Sequence, residues 1–121
     1  MQAIADYCIK TGQKAPQTPG EFATVIYQSL AECYGVTVKE LEQNTQKYYD
    51  VIHVIGGGSN AAYLNQLTAN ATGRTVYAGP SEATAIGNIM AQMIKDGVFE
   101  DLKAARTCVF KSFDVKEFIP A

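Results

Sequence analysis

The sequence has little of what builds metal sites or disulfide frameworks. It contains one histidine and three widely spaced cysteines, Cys8, Cys33 and Cys108. A single imidazole and an odd number of scattered thiols fit neither the ligand spacing of a zinc site nor a paired set of disulfides. We therefore expect no metal-binding residues in this chain and three reduced thiols, with Cys33 buried on the apolar face of a helix.

Long apolar runs and a strong charge are also absent. No apolar stretch approaches the roughly 20 residues that span a bilayer, and residues 1–8 lack the basic region and apolar core of a signal peptide. The formal net charge of −2 gives no electrostatic case for nucleic acid or a membrane as a partner. With 121 residues and 47% hydrophobic content, the chain is predicted to be at most one cytoplasmic domain.

The most informative stretch runs from Val51 to Asn60. A short β-branched segment, Val51–Ile55, leads into three consecutive glycines, Gly56–Gly58, and then into residues with helical spacing. Because glycine has no Cβ and adopts positive φ, a ligand can approach the backbone closely there. The first N–H groups of the following helix have no partner within the helix and point toward the same place. This order predicts a nucleotide-type binding site.

The segments before this stretch are predicted to be helical. Residues 2–11 form a short helix that Gly12 closes, and Thr18-Pro19-Gly20-Glu21 has the residues of a capping box. From there we expect a long or interrupted helix toward Lys47. Its apolar stripe should consist of Phe22, Val25, Ile26, Ser29, Leu30 and Cys33.

The segments after the glycines alternate between helix and strand. A helix is predicted from Asn60 to Thr72, then a strand at Thr75–Ala78, then a helix that Ser81 caps and Gly97 ends. The inward-facing residues should be Leu64, Leu67 and Ala71 in the first of these helices, and Ile86, Ile89, Met90, Met93 and Ile94 in the second.

Only two strands are predicted, and this number is small for a stable domain. Val51–Ile55 and Thr75–Ala78 have the composition of parallel strands buried on both faces, and only a short helix at Asp101–Val109 and an extended tail, Phe113–Ala121, follow. A two-stranded parallel sheet is a poor foundation for a core. We therefore expect either a partner chain that adds strands or a larger protein of which this chain is a piece, and we favour the larger protein.

Specific chemistry is only partly indicated by the residues themselves. Residues 56–61 formally match the dinucleotide fingerprint G-x-G-x-x-A, but the second strand ends without the carboxylate that holds a ribose. A dinucleotide-binding domain therefore stays a minor alternative, and no Gly-Lys-Ser/Thr sequence supports a P-loop. His53 is expected to be a hydrogen-bonded core residue, and Ser59 a helix cap rather than a nucleophile. No residue is predicted to be catalytic.

Three motifs indicate a family. The sequence resembles the C-terminal part of FGGY-type carbohydrate kinases in GGGS (56–59), LNQLTANATGR (64–74) and AGPSEATAIGN (78–88), and upstream in TGQ (11–13) and QTPGE (17–21). The resemblance implies an α/β fold, a partial actin-like or ribonuclease-H-like ATPase domain that is helix-rich with a short parallel β-α-β unit. It implies that residues 1–121 are a C-terminal fragment of the second, nucleotide-binding domain.

The resemblance also implies a function. Members of the family transfer the γ-phosphate of ATP, bound with Mg²⁺, to a sugar hydroxyl, which here would be O1 of L-rhamnulose. The adenosine-binding motif of the family falls on Gly56–Gly58 and Ser59, with Gly57 as the main ATP contact. Asn60 is added as a substitute, because Ala61 stands where the family commonly has asparagine. Asn70 stands where aspartate is usual and is expected on the helix surface.

The catalytic parts of the family have no match in this sequence. Its phosphate-binding hairpin, its sugar-binding residues and its catalytic aspartate all lie upstream of the matched motifs. Because phosphoryl transfer needs these groups positioned together, we expect this chain alone to be inactive and to bind ATP weakly at best. The alternative from another functional class is a non-catalytic assembly or binding module. Such a module would self-associate through exposed strand edges.

Overall fold

The computed structural model describes all residues 1–121 as five α-helices, a 3-10 helix and a three-stranded sheet. In chain order these elements are α1 (Gln2–Lys10), α2 (Pro19–Thr45), β1 (Val51–Val54), a 3-10 helix that we call the glycine turn (Gly56–Asn60), α3 (Ala62–Thr72), β2 (Thr75–Ala78), α4 (Ala83–Lys95), α5 (Leu102–Ser112) and β3 (Lys116–Phe118). None of the helices combines the length and the hydropathy that crossing a membrane requires.

The sheet has the strand order β1-β2-β3. β1 and β2 are parallel, with Val51 opposite Thr75, as predicted for a β-α-β unit. β3 is antiparallel to β2, with Val76 opposite Phe118, so the expectation of only two strands is wrong. The sequence does not predict β3, because only one of its three residues, Phe118, is apolar and the residues show no alternating pattern.

α2 is one uninterrupted helix of 27 residues. It begins at the predicted capping box, in which Thr18 Oγ1 accepts a hydrogen bond from the Glu21 N–H and the Glu21 carboxylate accepts one from the Thr18 N–H. Gly35 lies within this helix without interrupting it, and its role is to let another helix pack closely against α2. A Cβ at Gly35 would lie 3.0 Å from the main-chain oxygen of Ala71. The glycine therefore allows α2 and α3 to approach closely.

The inward face of α2 differs from the predicted apolar stripe. Ala31 and Gly35 are buried, whereas Leu30 is 36% exposed and Cys33 is also exposed. Of the predicted stripe, Phe22 and Val25 are half-buried, whereas Ile26, Ser29, Leu30 and Cys33 are exposed. The other buried and half-buried residues of the helix are Thr24, Tyr27, Ala31, Gly35, Val38 and Glu42. The prediction therefore holds at the start of α2, and beyond Val25 the inward face is displaced by about one residue because small side chains, not large ones, face α3. The expected burial of Cys33 is therefore wrong, whereas Cys8 is buried.

α3 packs on one face of the sheet and carries the densest part of the core. The buried residues of this region are Asn65, Thr68 and Ala69 of α3 and Val76 and Ala78 of β2. The predicted inward residues Leu64 and Leu67 are half-buried, and Ala71 is exposed. α3 ends at the predicted Gly73, whose φ of +65° is the left-handed conformation that favours glycine.

The other face of the sheet is covered loosely. Phe110 of α5 touches Tyr77 of β2 on this face, with ring centroids 5.7 Å apart, but α4 has no buried residue and Ile89 is 54% exposed. β1 is an edge strand whose Val51 and His53 are exposed. The expectation that β1 is buried on both faces is wrong, because this face lacks a tightly packed layer.

The predicted start of α4 is also wrong. The helix begins after Glu82, and Ser81 makes no capping hydrogen bond. By contrast, α5 is capped by Asp101, whose carboxylate accepts a hydrogen bond of 2.7 Å from the Ala104 N–H. A serine before a helical pattern was therefore an insufficient signal for a cap.

Candidate functional site

The glycine turn leaves backbone open to approach at the carboxyl end of β1. Gly56 has a φ of +75°, which favours glycine. Around Gly57 no atom outside its chain neighbours lies within 4 Å of the place where a Cβ would stand, and at Gly58 the nearest is a methyl carbon of Val54 at 3.8 Å. Gly56 has the same open space but is half-buried, whereas Gly57 is exposed. A ligand contact at Gly57 stays a prediction.

Hydrogen bonds hold the shape of the glycine turn. Ser59 is buried and its hydroxyl donates to the Gly56 carbonyl oxygen at 2.7 Å. The side-chain amide of Asn65, itself 1% exposed, donates to the Ser59 carbonyl oxygen at 3.0 Å. Ser59 is therefore neither a nucleophile nor the cap of α3, whose N-terminal position is taken by Ala61. The expectation of a cap at Ser59 is wrong because the 3-10 helix shifts the start of α3.

Asn65 is a supporting residue that the sequence reasoning missed. The sequence signal for it is weak: Asn65 is an amide that follows the predicted inward-facing residue Leu64 in a helix. Such a residue needs hydrogen-bond partners when it is buried, and here its partner is the main chain of the predicted site. The role of Asn65 is therefore to position the glycine turn.

A second turn lies beside the first. At the end of β2, the Gly79 N–H donates to the Val54 carbonyl oxygen at 2.8 Å, and the Gly56 N–H donates to the Pro80 carbonyl oxygen at 3.4 Å. Gly79 has a φ of +121°, and a Cβ there would lie 3.1 Å from the main-chain oxygen of Asp114. Three separate chain segments thus meet at the carboxyl ends of β1 and β2.

These segments surround a polar cleft of about 210 Å³. It is lined by Ser59, Asn60, Ala78, Gly79, Pro80, Ser81, Phe113, Asp114 and Lys116. Of the predicted site residues, the structure brings Ser59 and Asn60 into this lining, whereas Gly56–Gly58 lie outside it. Asp114 and Lys116 were missed, because they follow α5 and reach the cleft only through the pairing of β3 with β2.

His53 lies on the opposite face of the sheet. It is exposed, and its ring stacks on that of Tyr77 with centroids 5.6 Å apart. The expectation of a hydrogen-bonded core histidine is wrong, because the His53 imidazole makes no hydrogen bond and no element buries it. The neighbouring Tyr77 hydroxyl donates to the Glu117 carboxylate at 2.8 Å, and this negative partner raises the pKa of Tyr77.

A larger, mainly apolar groove of about 620 Å³ opens on that face between the sheet, α4 and α5. His53 and Ile55 line it from β1 and the residue after it, and Gly79 and Pro80 line both cavities. The remaining lining comes from Ala83, Ile86, Gly87, Met90, Ala91, Ile94, Leu102, Ala105, Arg106, Val109, Phe110 and Val115. The groove has no set of polar groups that would orient a ligand, so it differs in kind from the polar cleft.

Away from the cleft, an ion pair between α2 and Arg74 stabilises the segment that joins α2 to β1. Arg74 pairs with Glu42 at 3.1 Å, donates to the Tyr49 carbonyl oxygen at 2.8 Å and lies 4.1 Å from the ring centre of Tyr48. A hydrogen bond from the Tyr49 N–H, together with Arg74, lowers the pKa of Glu42. Main-chain hydrogen bonds lower the pKa of Glu21 in the same way. No three His, Cys, Asp or Glu side chains come together as a metal site.

Ala61 and Asn70 are the two positions at which this chain departs from the family pattern. Ala61 precedes α3 and is half-buried, so it offers no polar side chain to a ligand. Asn70 is exposed on α3, as expected, and its side-chain oxygen accepts hydrogen bonds from Gln66 and from the Ala121 N–H. Gln66 also donates to the Ile119 carbonyl oxygen at 2.8 Å. Asn70 therefore holds the C-terminal tail rather than a ligand.

Comparisons with known proteins give the same family as the motifs. The family described as "FGGY family of carbohydrate kinases, C-terminal domain" matches residues 1–95. The chain is 48% identical over 120 residues to a rhamnulokinase of Bacillus subtilis (strain 168), which covers 99% of this chain and 25% of that protein. It is 46% identical over 121 residues to a rhamnulokinase of Halalkalibacterium halodurans, and this match covers 100% of the chain and 26% of that protein.

A third relative extends the range of sources. The chain is 50% identical over 109 residues to a rhamnulokinase of Enterococcus faecalis, with 88% of this chain and 22% of that protein covered. The chain thus spans about a quarter of the length of the curated relatives it matches. The glycine turn and the second turn both lie within the residues that the family matches.

Proposed function

Because this chain belongs to the FGGY family of carbohydrate kinases, we propose that it forms the nucleotide-binding portion of an ATP-dependent sugar kinase. In this proposal residues 1–121 are a C-terminal fragment of the second domain. The observation that carries it is the open glycine turn at the carboxyl end of β1, since ligands of open α/β sheets bind at this edge.

The proposed sugar substrate is L-rhamnulose. Its support is the name rhamnulokinase, which is shared by relatives that are 46–48% identical over nearly the whole chain. In this proposal the residues that bind the sugar belong to the three-quarters of the relatives' length that this chain does not match. The chain itself contributes nucleotide contacts.

The proposed nucleotide contacts are Gly56, Gly57, Gly58, Ser59 and Asn60. Gly57 is the leading one, because the space beside its backbone is empty and the residue is exposed, whereas Gly56 is half-buried. Ser59 and Asn60 lead from the turn into the polar cleft, and the side chain of Asn60 has no hydrogen-bond partner in the structure that it would have to give up. The adenosine end of ATP would therefore lie over Gly57 and extend toward Asn60.

The complete enzyme is proposed to use Mg²⁺ with ATP, but this chain offers no group of ligands for the ion. Mg²⁺ at such sites is held by one or two carboxylates together with the phosphates. Transfer also needs an acceptor base and groups that bind the phosphates. We therefore assign to this chain the positioning of the nucleotide, and propose that alone it is inactive and binds ATP weakly.

Titration calorimetry of the chain with ATP, ADP and NAD tests the proposal. We expect ATP and ADP to bind, and Gly57→Val to weaken both by at least about tenfold, because the side chain fills the approach to the backbone. Gly57 suits this test because its φ is not in the left-handed region, unlike that of Gly56. Gly20→Val is the matched control, since Gly20 also borders open space but lies at the start of α2.

Several results would count against the proposal. Failure of the unchanged chain to bind either adenine nucleotide would overturn the nucleotide-binding role. Tighter binding of NAD than of ATP would favour the dinucleotide-binding domain instead. Release of ADP that depends on L-rhamnulose, measured in a coupled assay with this chain alone, would overturn the proposed inactivity.

A second candidate is a non-catalytic assembly module that pairs with another copy. It is favoured by the free edge of β1, which pairs only with β2 and has no charged or proline residue to protect it. The exposed Ile55 continues this edge toward the apolar groove. Sedimentation velocity over a range of concentrations tests it: a monomer at every concentration would contradict self-association.

A further inference from the structure

We propose that Asp114 is the residue that recognises the ribose of the bound nucleotide, in the polar cleft beside the glycine turn. This inference rests on the nucleotide-binding function proposed above and deepens it. Asp114 lies outside residues 1–95, the part that the family matches, so the motifs of the glycine turn do not assign it a role.

The fold places Asp114 at the carboxyl end of β2. Pairing of β3 with β2 sets Lys116 opposite Ala78, and two residues earlier the main-chain oxygen of Asp114 comes within 3.1 Å of the place where a Cβ on Gly79 would stand. Only a glycine tolerates this approach easily. The segment before β3 is thereby seated against the turn that follows β2.

At this position Asp114 supplies the carboxylate that the dinucleotide fingerprint requires and that the second strand lacks. A carboxylate beside the end of the second strand of a β-α-β unit accepts hydrogen bonds from ribose hydroxyls in dinucleotide sites. No acidic residue occupies Val76–Pro80, but Asp114 lines the cleft at this same end of the sheet, and it is the only acidic residue among the lining residues. The carboxylate therefore comes from a distant segment rather than from the strand itself.

The size and polarity of the cleft select the part of the nucleotide. Its volume of about 210 Å³ is below the roughly 300–1,000 Å³ of pockets that enclose a whole ligand, so it accommodates one moiety. A phosphate would meet the carboxylate of Asp114 beside the single cation, Lys116, and a flat base would meet mostly polar groups. A sugar with two hydroxyls suits a lining of carboxylate, amide and hydroxyl groups.

The side chains that would make these contacts are available. Asp114 and Lys116 are exposed, and neither side chain takes part in a hydrogen bond or in the one ion pair of the structure, Arg74–Glu42. Binding a ribose hydroxyl therefore breaks no existing interaction of Asp114. The wall that carries it is fixed, because β3 is hydrogen-bonded to β2 and the Tyr77 hydroxyl binds Glu117.

The test compares ATP with 2′-deoxy-ATP by titration calorimetry on the full chain and its variants. The unchanged chain should bind ATP about tenfold or more tightly than 2′-deoxy-ATP, as expected for a hydrogen bond to a charged acceptor. In Asp114→Ala the affinity for ATP should fall by about tenfold, while that for 2′-deoxy-ATP changes less than about twofold. The preference for ribose would then disappear. Asp96→Asn, at an exposed aspartate after α4, is the control and should keep it.

The outcomes separate this inference from the proposed function. An unchanged preference for ATP in Asp114→Ala, with loss of binding in Gly57→Val, would overturn the role of Asp114 and leave the nucleotide site standing. No binding of ATP by the unchanged chain would overturn both. Should Asp114→Ala unfold, Asp114→Asn keeps the size of the side chain and removes only the charge, and an unchanged preference in it would equally count against the inference.

Discussion

The two faces of the sheet are covered in different ways. On the face that we call closed, α3 packs on β2 and buries Val76 and Ala78. On the face that we call open, His53 and Tyr77 stack beside an apolar groove, and α4 above it has no buried residue. The chain thus completes one half of its core. The other half exposes apolar surface of the kind that a partner usually covers.

The cavities follow the same division. The polar cleft lies between the glycine turn, the end of β2 and the start of β3, which are fixed by hydrogen bonds. The apolar groove lies between elements that make few contacts. A fixed polar cleft suits recognition of a small ligand, whereas a loosely bordered apolar groove suits assembly. This contrast supports the proposal that the nucleotide binds at the glycine turn and the polar cleft.

The largest effect that distinguishes the faces is expected from paired truncations. Val76→Ala on the closed face should lower the free energy of unfolding by about 2–3 kcal/mol, because Val76 is fully buried. Ile89→Ala on the open face should change it by less than about 0.5 kcal/mol, because Ile89 is 54% exposed. Urea titrations followed by circular dichroism measure both. Similar losses would mean that the open face is covered in solution, for example by a second copy.

Two helical glycines should respond to alanine with opposite signs. Gly35→Ala should destabilise by about 1–3 kcal/mol, because its Cβ would press on the main-chain oxygen of Ala71 at 3.0 Å. Gly87→Ala in α4 should stabilise by about 0.5–1 kcal/mol, since the space there is empty and alanine favours helix. The intrinsic helix preference is the same at both sites, so the difference reports packing. Stabilisation by both changes would contradict the close contact of α2 and α3.

Two candidate caps provide a smaller contrast. Thr18→Ala should cost about 1 kcal/mol, because it removes the acceptor for the Glu21 N–H at the start of α2. Ser81→Ala should cost less than about 0.5 kcal/mol, because Ser81 makes no capping hydrogen bond before α4. Thermal unfolding of both variants beside the unchanged chain measures the difference. Equal losses would show that Ser81 caps α4 after all.

The pH dependence of stability provides the smallest test. The pKa of Glu42 is lowered from 4.5 by the Tyr49 N–H and by Arg74, so the stability that Glu42 adds is present above pH 4.5 and is lost as the pH falls through the lowered value. We expect the unfolding midpoint of the unchanged chain to approach that of Glu42→Gln as the pH falls from about 5 to 3. Parallel curves over this range would show that the charge of Glu42 adds nothing.

Local signals in the sequence predicted much of the closed face. The capping box at Thr18 and the end of α3 at Gly73 depend only on neighbouring residues, and both are confirmed. The register of α2 depends on its partner instead. Ala31 and Gly35 face inward because α3 approaches closely there, and no pattern of large apolar residues announces such a contact.

The candidate site was predictable on one side only. The glycine turn could be found because strand, glycine and helix signals follow one another within Val51–Asn60. The opposite wall could not, because Asp114 is more than 50 residues from the turn and reaches it through β3, whose three residues carry no strand pattern. Asn65 was also missed, since burial of an amide is decided by the tertiary fold.

The hydrogen bonds of α3 give this helix a mechanical role. Asn65 holds the glycine turn through Ser59, while the next residue, Gln66, and Asn70 one turn later hold the tail at Ile119 and Ala121. Near its start α3 thus holds the glycine turn at the carboxyl ends of the parallel strands, and further along it holds the tail that follows β3 toward the opposite edge of the sheet. A label or fusion joined to the last residue would pull on that tail, so reporter groups belong at the opposite terminus, ahead of α1.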